Sequence, residues 1–257
     1  MAWDRFVGTF LSKAELTKGI FRVEFAITAD RPGYGYAPAT PGDESVGLYF
    51  AEEGHLLDTR PSHAPHAHGG WEVIEDNRSM GRRNFTVRSF DPDTRVMAID
   101  VARHGAGPAI EWFDAAQPGW RLLMAGPRCW HRPPGAATDH YYLLADLAGL
   151  PALARILAAT APHIRVTALA EVLDPSDLEY LPDHPRLELL PLVGSGNGVA
   201  DSRLLDGLAA LPPPAPASYQ WVAAEAGQVR AVKKYLRTCG LDKNNCVALG
   251  YWNATEH

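Results

Sequence analysis

Apolar and polar positions follow two different rhythms along the chain. Up to about residue 127, apolar residues tend to alternate with polar ones, and Phe21-Arg22-Val23-Glu24-Phe25 is the clearest run. A period of two predicts half-buried strands, placed at 6–16, 19–28, 46–50, 83–88, 95–102 and 121–125. A short helix is predicted over 109–116. From His140 onward, short apolar runs at 140–145, 165–172, 187–191, 219–223 and 245–252 alternate with segments of helical spacing. Those segments are 149–161, with Leu153, Ile156 and Leu157, then 202–211, and 225–239, with Val229, Val232, Tyr235 and Leu236 on one side. Strand and helix in turn predict a mostly parallel sheet flanked by helices. Between the two rhythms, 128–139 carries prolines and a glycine and reads as a linker. Arg128, His131 and Arg132 give it a small positive cluster.

Composition adds limits. At 257 residues the chain is ample for a core and fits one large domain or two small ones. Hydrophobic residues make up 46% and charged residues 21%, a globular composition. The formal net charge of −6 argues against a global nucleic-acid footprint. No apolar run reaches the length of a membrane span. The start has no secretory pattern. The three cysteines follow neither a zinc nor a C-x-x-C spacing. The expectation is a cytoplasmic protein with reduced thiols. The polar stretch 53–81 holds His63, His66 and His68. Imidazoles are good metal ligands, but no Cys or acidic partner completes a set, so an exposed loop is expected and no metal is assigned.

The candidate chemistry lies between residues 82 and 127. In Arg83-Asn84-Phe85-Thr86-Val87-Arg88, Phe85 and Val87 alternate with polar neighbours. Arginine binds phosphate through paired hydrogen bonds, and an aromatic ring offers a face to a flat heterocycle. His104-Gly105-Ala106-Gly107-Pro108-Ala109 follows a strand, with Trp112 after it. Glycines there let backbone amides approach a phosphate, and a helix opening at Ala109 would aim its dipole at the same anion.

Together these segments resemble the flavin-binding signature of the siderophore-interacting protein family, within the ferredoxin-reductase-like flavoproteins. That family carries R-x-Y-T-x-R, then H-G-x-x-G-P-A-x-x-W, then a Pro-Gly-Asp-like turn and a Gly-Pro. Arg83, Thr86 and Arg88 match, as do His104, Gly105, Gly107, Pro108, Ala109 and Trp112, Pro118-Gly119, and Gly126-Pro127. Phe85 replaces the usual Tyr, and Trp120 stands where an acidic residue is usual. Farther on, Asp146 and Leu150-Pro151-Ala152 match a family Gly-Asp-Glu-Thr-Ala-Leu-Pro-Ala. Trp221, Ala223 and Glu225 match a Trp-x-Ala-Gly-Glu, and Gly250-Tyr251-Trp252 a Gly-Tyr-Trp.

The resemblance implies an α/β two-domain fold. Residues 1–130 form an N-terminal antiparallel flavin-binding β-barrel, and 140–257 a C-terminal mostly parallel α/β sandwich of ferredoxin-reductase type that resembles an NAD(P)H-binding domain. It implies FAD held by Arg83, Phe85, Thr86, Val87, Arg88, His104, Gly107, Pro108, Ala109 and Trp112. Asp146, Glu225, Tyr251 and Trp252 belong to the electron-donor or substrate side. The implied activity is reduction of a ferric siderophore to release ferrous iron. The flavin carries the electrons, so no catalytic acid, base or nucleophile is required. The donor is NADH, NADPH or a ferredoxin-type carrier. Ala145, Ala224, Leu147 and Ala148 replace glycines and polar residues of the family pattern, so a greasier nucleotide side is expected, with nicotinamide binding altered. Two alternatives stay open: a flavoenzyme acting on a small organic substrate, and a non-catalytic flavin- or chelate-binding module.

Overall fold

The computed structural model describes residues 4–30, 35–39, 42–62, 71–74, 76–103, 107–133, 135, 138–241 and 243–254. The His63, His66 and His68 loop and the His104-Gly105-Ala106 turn lie outside these residues. The chain divides into two compact units. One comprises Met1–Glu15, Phe21–Thr40 and Glu44–Cys129. The other comprises Leu16–Ile20, Pro41–Asp43 and Trp130–His257.

The first unit is built on β1 (Arg5–Glu15), β2 (Ile20–Ala29), β3 (Ser45–Ala51), β4 (Thr59–Pro61), β5 (Trp71–Val73), β6 (Ser79–Asp91), β7 (Val96–Ala102), α1 (Pro108–Ala115) and β8 (Arg121–Arg128). Six of the strands close into an antiparallel barrel in the order β1-β2-β7-β6-β3-β8, while β4 and β5 form a separate hairpin. Three-residue strands are too short to leave a period in the sequence, which is why 53–81 reads only as a polar loop. Alternate side chains of the barrel strands fill its interior. Phe6, Phe10, Phe21, Phe25, Leu48 and Phe50 are all buried there. Helix α1 adds Ile110, Trp112 and Phe113 to the same cluster. The Trp112 indole N–H donates to the Ala51 carbonyl at 2.9 Å, satisfying the polar atom that burial of the ring would otherwise strand.

The second unit contains β9 (His140–Ala145), α2 (Leu150–Ala159), β10 (Arg165–Val172), β11 (Leu187–Val193), α3 (Leu204–Ala209), β12 (Tyr219–Glu225), α4 (Ala226–Thr238) and β13 (Cys246–Trp252). The five strands pair in parallel in the order β11-β10-β9-β12-β13. Both faces are covered, so neighbouring residues of one strand serve opposite cores. Leu143 packs with Ile156 and Leu157 of α2, whereas Leu144 packs with Leu204 and Leu208 of α3 and Val232 of α4. A sheet buried on both faces has continuous apolar strands, as in Tyr141-Tyr142-Leu143-Leu144-Ala145. Strand order reverses between β9 and β12, and in open parallel sheets the carboxyl ends at that reversal form a crevice. Gly149 makes the tight approach there: a Cβ on it would lie 2.4 Å from the Ala223 carbonyl oxygen.

The predicted linker is more structured than its composition suggests. Asp43 is buried and accepts from the Trp130 and His131 amides, both at 2.7 Å, and from the Trp221 indole at 3.0 Å. The His131 ring meets the Tyr219 hydroxyl at 3.0 Å. Burial pushes the His131 pKa down to about 4. The ring is therefore neutral at pH 7 and does not belong to the expected positive cluster.

Candidate functional site: a barrel strand, a helix start and a crevice

Strand β6 does not alternate uniformly. Its pairing with β3 slips between Phe50 and Ala51, and its pairing with β7 slips between Val87 and Ser89. Met80 and Arg88 are the extra residues, and each bulge reverses which parity faces inward. Met80, Phe85 and Phe90 can all pack on the one core for that reason. Between the bulges the register is regular. Arg83 lies opposite Leu48, and Phe85 opposite Val46, so Arg83 and Phe85 share the inward face and Arg83 is exposed at its rim. The half-buried Phe85 ring meets Phe113 at 5.7 Å and Phe50 at 6.2 Å, both edge-on.

Arg82, Asn84 and Thr86 share the opposite face, across from Tyr49, Gly47 and Ser45. Thr86 is buried. The Asn84 carbonyl oxygen accepts from Arg82 at 3.1 Å and from Arg128. Burial, reinforced by the Arg82 charge, pushes the Arg128 pKa down to about 10. Two arginines thus gather where the sequence reading singled out only Arg128, within the linker cluster. Their shared signal is the face they occupy through β-sheet register, which the separation of 82 from 128 hides.

Arg88 is committed elsewhere. Its Nε lies 3.6 Å from Asp100, a buried carboxylate that Arg22 also grips at 2.7 and 2.9 Å. Arg83 and Arg88 are five residues apart, about 16 Å along a strand, so one phosphate cannot bridge both.

Gly107 caps α1, and Pro108 occupies its first turn. The Glu111 amide bonds back to the Gly107 carbonyl at 2.9 Å, leaving the amides of Ala109 and Ile110 ahead of the first intrahelical bond. Among the described residues a Cβ built on Gly107 meets nothing within 4 Å, and φ there is 161°, open to any residue.

In the second unit, Asp146 follows β9 and is fully buried. Its Oδ2 accepts from the Glu225 amide at 2.9 Å and the Trp252 indole at 2.7 Å, and its Oδ1 from the Gly149 amide at 3.2 Å. Burial pushes its pKa up to about 6 despite these bonds. The Glu225 side chain caps α4 through the Gln228 amide at 2.9 Å. Tyr251 bulges out of register between Gly250 and Trp252 and packs edge-on to Trp221 at 6.5 Å. The fold therefore gathers Asp146, Glu225 and Trp252 at one crevice and directs Tyr251 toward the sheet core.

The expected greasy surface is found there in part. Leu147 is buried, with its amide bonded to Asn197 Oδ1 at 2.9 Å, and Ala145 packs in the core under α2, so neither lines the crevice. Ala224 and Trp252 do line it, beside carboxylates that include Glu171 and Asp201. Glu171 and the Gly194-Ser195-Gly196-Asn197-Gly198 loop escaped the sequence reading. The run of glycines was the available signal.

Two family models account for nearly the whole chain. One, described as the siderophore-interacting FAD-binding domain, matches residues 9–131. The other, described as siderophore-interacting protein, matches residues 138–255. The chain belongs to the siderophore-interacting protein family. Ferric acinetobactin reductase of Acinetobacter baumannii is 29% identical over 176 residues, which cover 66% of this chain and 60% of that one. NADPH-dependent ferric-chelate reductase of Escherichia coli K12 is 31% identical over 170 residues, 64% of each chain. The matched stretch thus spans less than two thirds of either relative. A siderophore utilization protein from T. fusca superposes over all of this chain and 95% of its own, with a TM-score of 0.76 and 26% identity.

The barrel is accordingly the family's FAD-binding domain, and its residues fit that group. Open space beside Gly107, two leading amides of an eight-residue helix, the exposed Arg83 and the half-buried Phe85 form a donor set suited to a flat ring carrying phosphates. Val87 and Trp112 lie inside the barrel core. His104 lies outside the described residues.

Proposed function

We propose that this siderophore-interacting protein is an FAD-dependent oxidoreductase that reduces a ferric siderophore, the chelate being its substrate. The observation that carries the reading is the start of α1, where the amides of Ala109 and Ile110 lead the helix behind Gly107, within a domain that matches the family's FAD-binding model. Two relatives, a ferric acinetobactin reductase and a ferric-chelate reductase, support the ferric substrate class. When bound, FAD supplies the redox chemistry, passing electrons from a donor to ferric iron.

The chain's own residues hold and orient. Arg83 neutralises phosphate charge, the amides of Ala109 and Ile110 donate to it, and Pro108 fixes the turn that presents them. Phe85 lines the ring with Thr86 at its edge. Val87, Arg88 and Trp112 act from behind: Val87 and Trp112 fill the barrel, and Arg88 pairs with Asp100. Asp146, Glu225 and Trp252 form the donor side, served by NADH, NADPH or a ferredoxin-type carrier, and Tyr251 packs behind them on Trp221. An organic substrate has less support, because Leu147, one of the residues that reading rested on, is buried.

The test begins with the absorption spectrum of the purified protein and identification of the released flavin. Yellow protein yielding FAD is expected. Mixing with each donor should bleach it, and adding a ferric siderophore to the reduced protein should restore the colour as a ferrous chelator reports iron release. Colourless protein that takes up no FAD ends the proposal. Reduced protein that leaves every ferric chelate intact removes the substrate.

A further inference from the structure

The parallel sheet of the second unit has two edges, and the sequence treats them differently. At one edge, β11 carries Glu188 and Pro191. A charge and a missing N–H are ordinary devices that keep an edge strand from pairing with another chain. At the other edge, β13 is seven residues long and carries neither a charge nor a proline. Among the described residues no strand pairs with its outer side. Its residues are half-buried, with Gly250 exposed. Successive side chains face opposite ways. Cys246 and Ala248 pack on the α4 side of the sheet, and Val247 on the α2 side.

Helix α4 supplies the second observation. It runs beside β13, so close at its start that a Cβ on Gly250 would lie 2.9 Å from the Ala226 Cβ. Arg230, Lys233, Lys234 and Arg237 recur at three- and four-residue spacing, which gathers them along one side of the helix. The charges of Lys233 and Arg237 reach the Cys246 thiol, so that side runs along the first residues of β13. Lys243 stands just ahead of the strand. Among the described residues Lys233, Lys234, Arg237 and Lys243 form no ion pair. Residues 226–254 hold five basic side chains against one acid, Asp242, in a chain of net charge −6. A basic helix thus flanks the one sheet edge that carries no guard of its own.

We propose that the β13 edge takes up an extended segment of an acidic partner protein as an added strand, with Asp or Glu at alternate residues toward α4 and apolar residues between them beside Val247 and Leu249. Backbone hydrogen bonds along the edge supply affinity, and the alternate side chains supply selectivity. A second copy of this chain fits worse, because pairing β13 with itself brings two basic helices together. Cys246 pairs with Gln220 near the start of β12, so this end of the edge lies at the opposite end of the sheet from the crevice of Asp146, Glu225 and Trp252. The site stands or falls independently of the reductase reading.

The test uses the full chain as purified, labelled with ¹⁵N. A blocked seven-residue peptide of alternating glutamate and valine is titrated to millimolar concentration. Saturable shifts of the Val247, Ala248 and Leu249 amides are expected, and they should weaken as sodium chloride is raised. A peptide with lysine for glutamate, and one with proline for the central valine, should each bind about tenfold more weakly or worse. Lys233→Glu combined with Arg237→Glu should cost about tenfold, since each exchanges an attraction for a repulsion. Both residues lie on the outer side of α4, and the two control peptides decide the matter if the double variant does not fold. No saturation by the acidic peptide, equal binding of the lysine or proline peptide, or unchanged affinity in the double variant overturns the proposal. A dimer in sedimentation at micromolar protein that dissociates in Val247→Lys overturns it too, because the occupant would then be a second copy.

Discussion

Asp146 and His131 respond to pH in opposite directions over one range. Burial raises the Asp146 pKa to about 6, so between about pH 4 and 6 the native state keeps a proton that the unfolded chain has released. Its contribution to stability falls as pH rises through that window. Burial lowers the His131 pKa to about 4, so the unfolded chain takes up the proton first. Its contribution is full above about pH 6.5 and is lost as pH falls toward 4. Each is worth on the order of a few kcal/mol, and the two largely cancel. Asp146→Asn should expose the His131 slope, with stability rising from pH 4.5 to 6.5. His131→Gln should expose the Asp146 slope, with stability falling over the same range. Urea unfolding at the two pH values checks both, and variants that merely parallel the parent protein would defeat the argument.

Elements declare themselves in the sequence where burial is regular. The parallel strands of the second unit are apolar throughout because both faces are covered, and 140–145 and 165–172 coincide with β9 and β10. Strand β6 is legible only between its bulges, since Met80 and Arg88 break a period that the sequence continues through them. Helix α3 shrinks to Leu204–Ala209, six residues with Gly207 inside. The Pro175–Tyr180 stretch of 3₁₀ helix, capped by Asp174, passed unnoticed, because two short turns carry too little period. Helix α1 offers a test at this scale. Serine caps a helix better than glycine, and none of the described residues obstructs a side chain at Gly107. Gly107→Ser should therefore leave the melting temperature equal or higher while weakening FAD binding by about tenfold or more, since a hydroxymethyl group displaces the approaching phosphate. Equal FAD affinity by fluorescence titration would mean that the cofactor does not use this turn.

At the scale of the whole molecule, the two rhythms in the sequence foretell a strand-rich first half and a parallel α/β second half. Residues 146, 225 and 252 meet through the Asp146 carboxylate. Glu171 could not be foreseen, because an acidic residue near the end of an apolar strand gains meaning only when the Gly194–Gly198 loop folds over it. The barrel's closure carries a further consequence, for synthesis. Strand β8 is the last of the six to be made, yet β1 and β3 both pair with it, and Arg5 waits for Ala125. At ribosomal speed that interval of 120 residues lasts on the order of ten seconds. Once β3 has been made, two strand edges stand open to other nascent chains until β8 arrives. A chain ending at residue 119 keeps both edges, and light scattering should show it aggregating while the full-length protein stays clear. A soluble, monomeric fragment would mean that something other than β8 guards those edges as the polypeptide emerges.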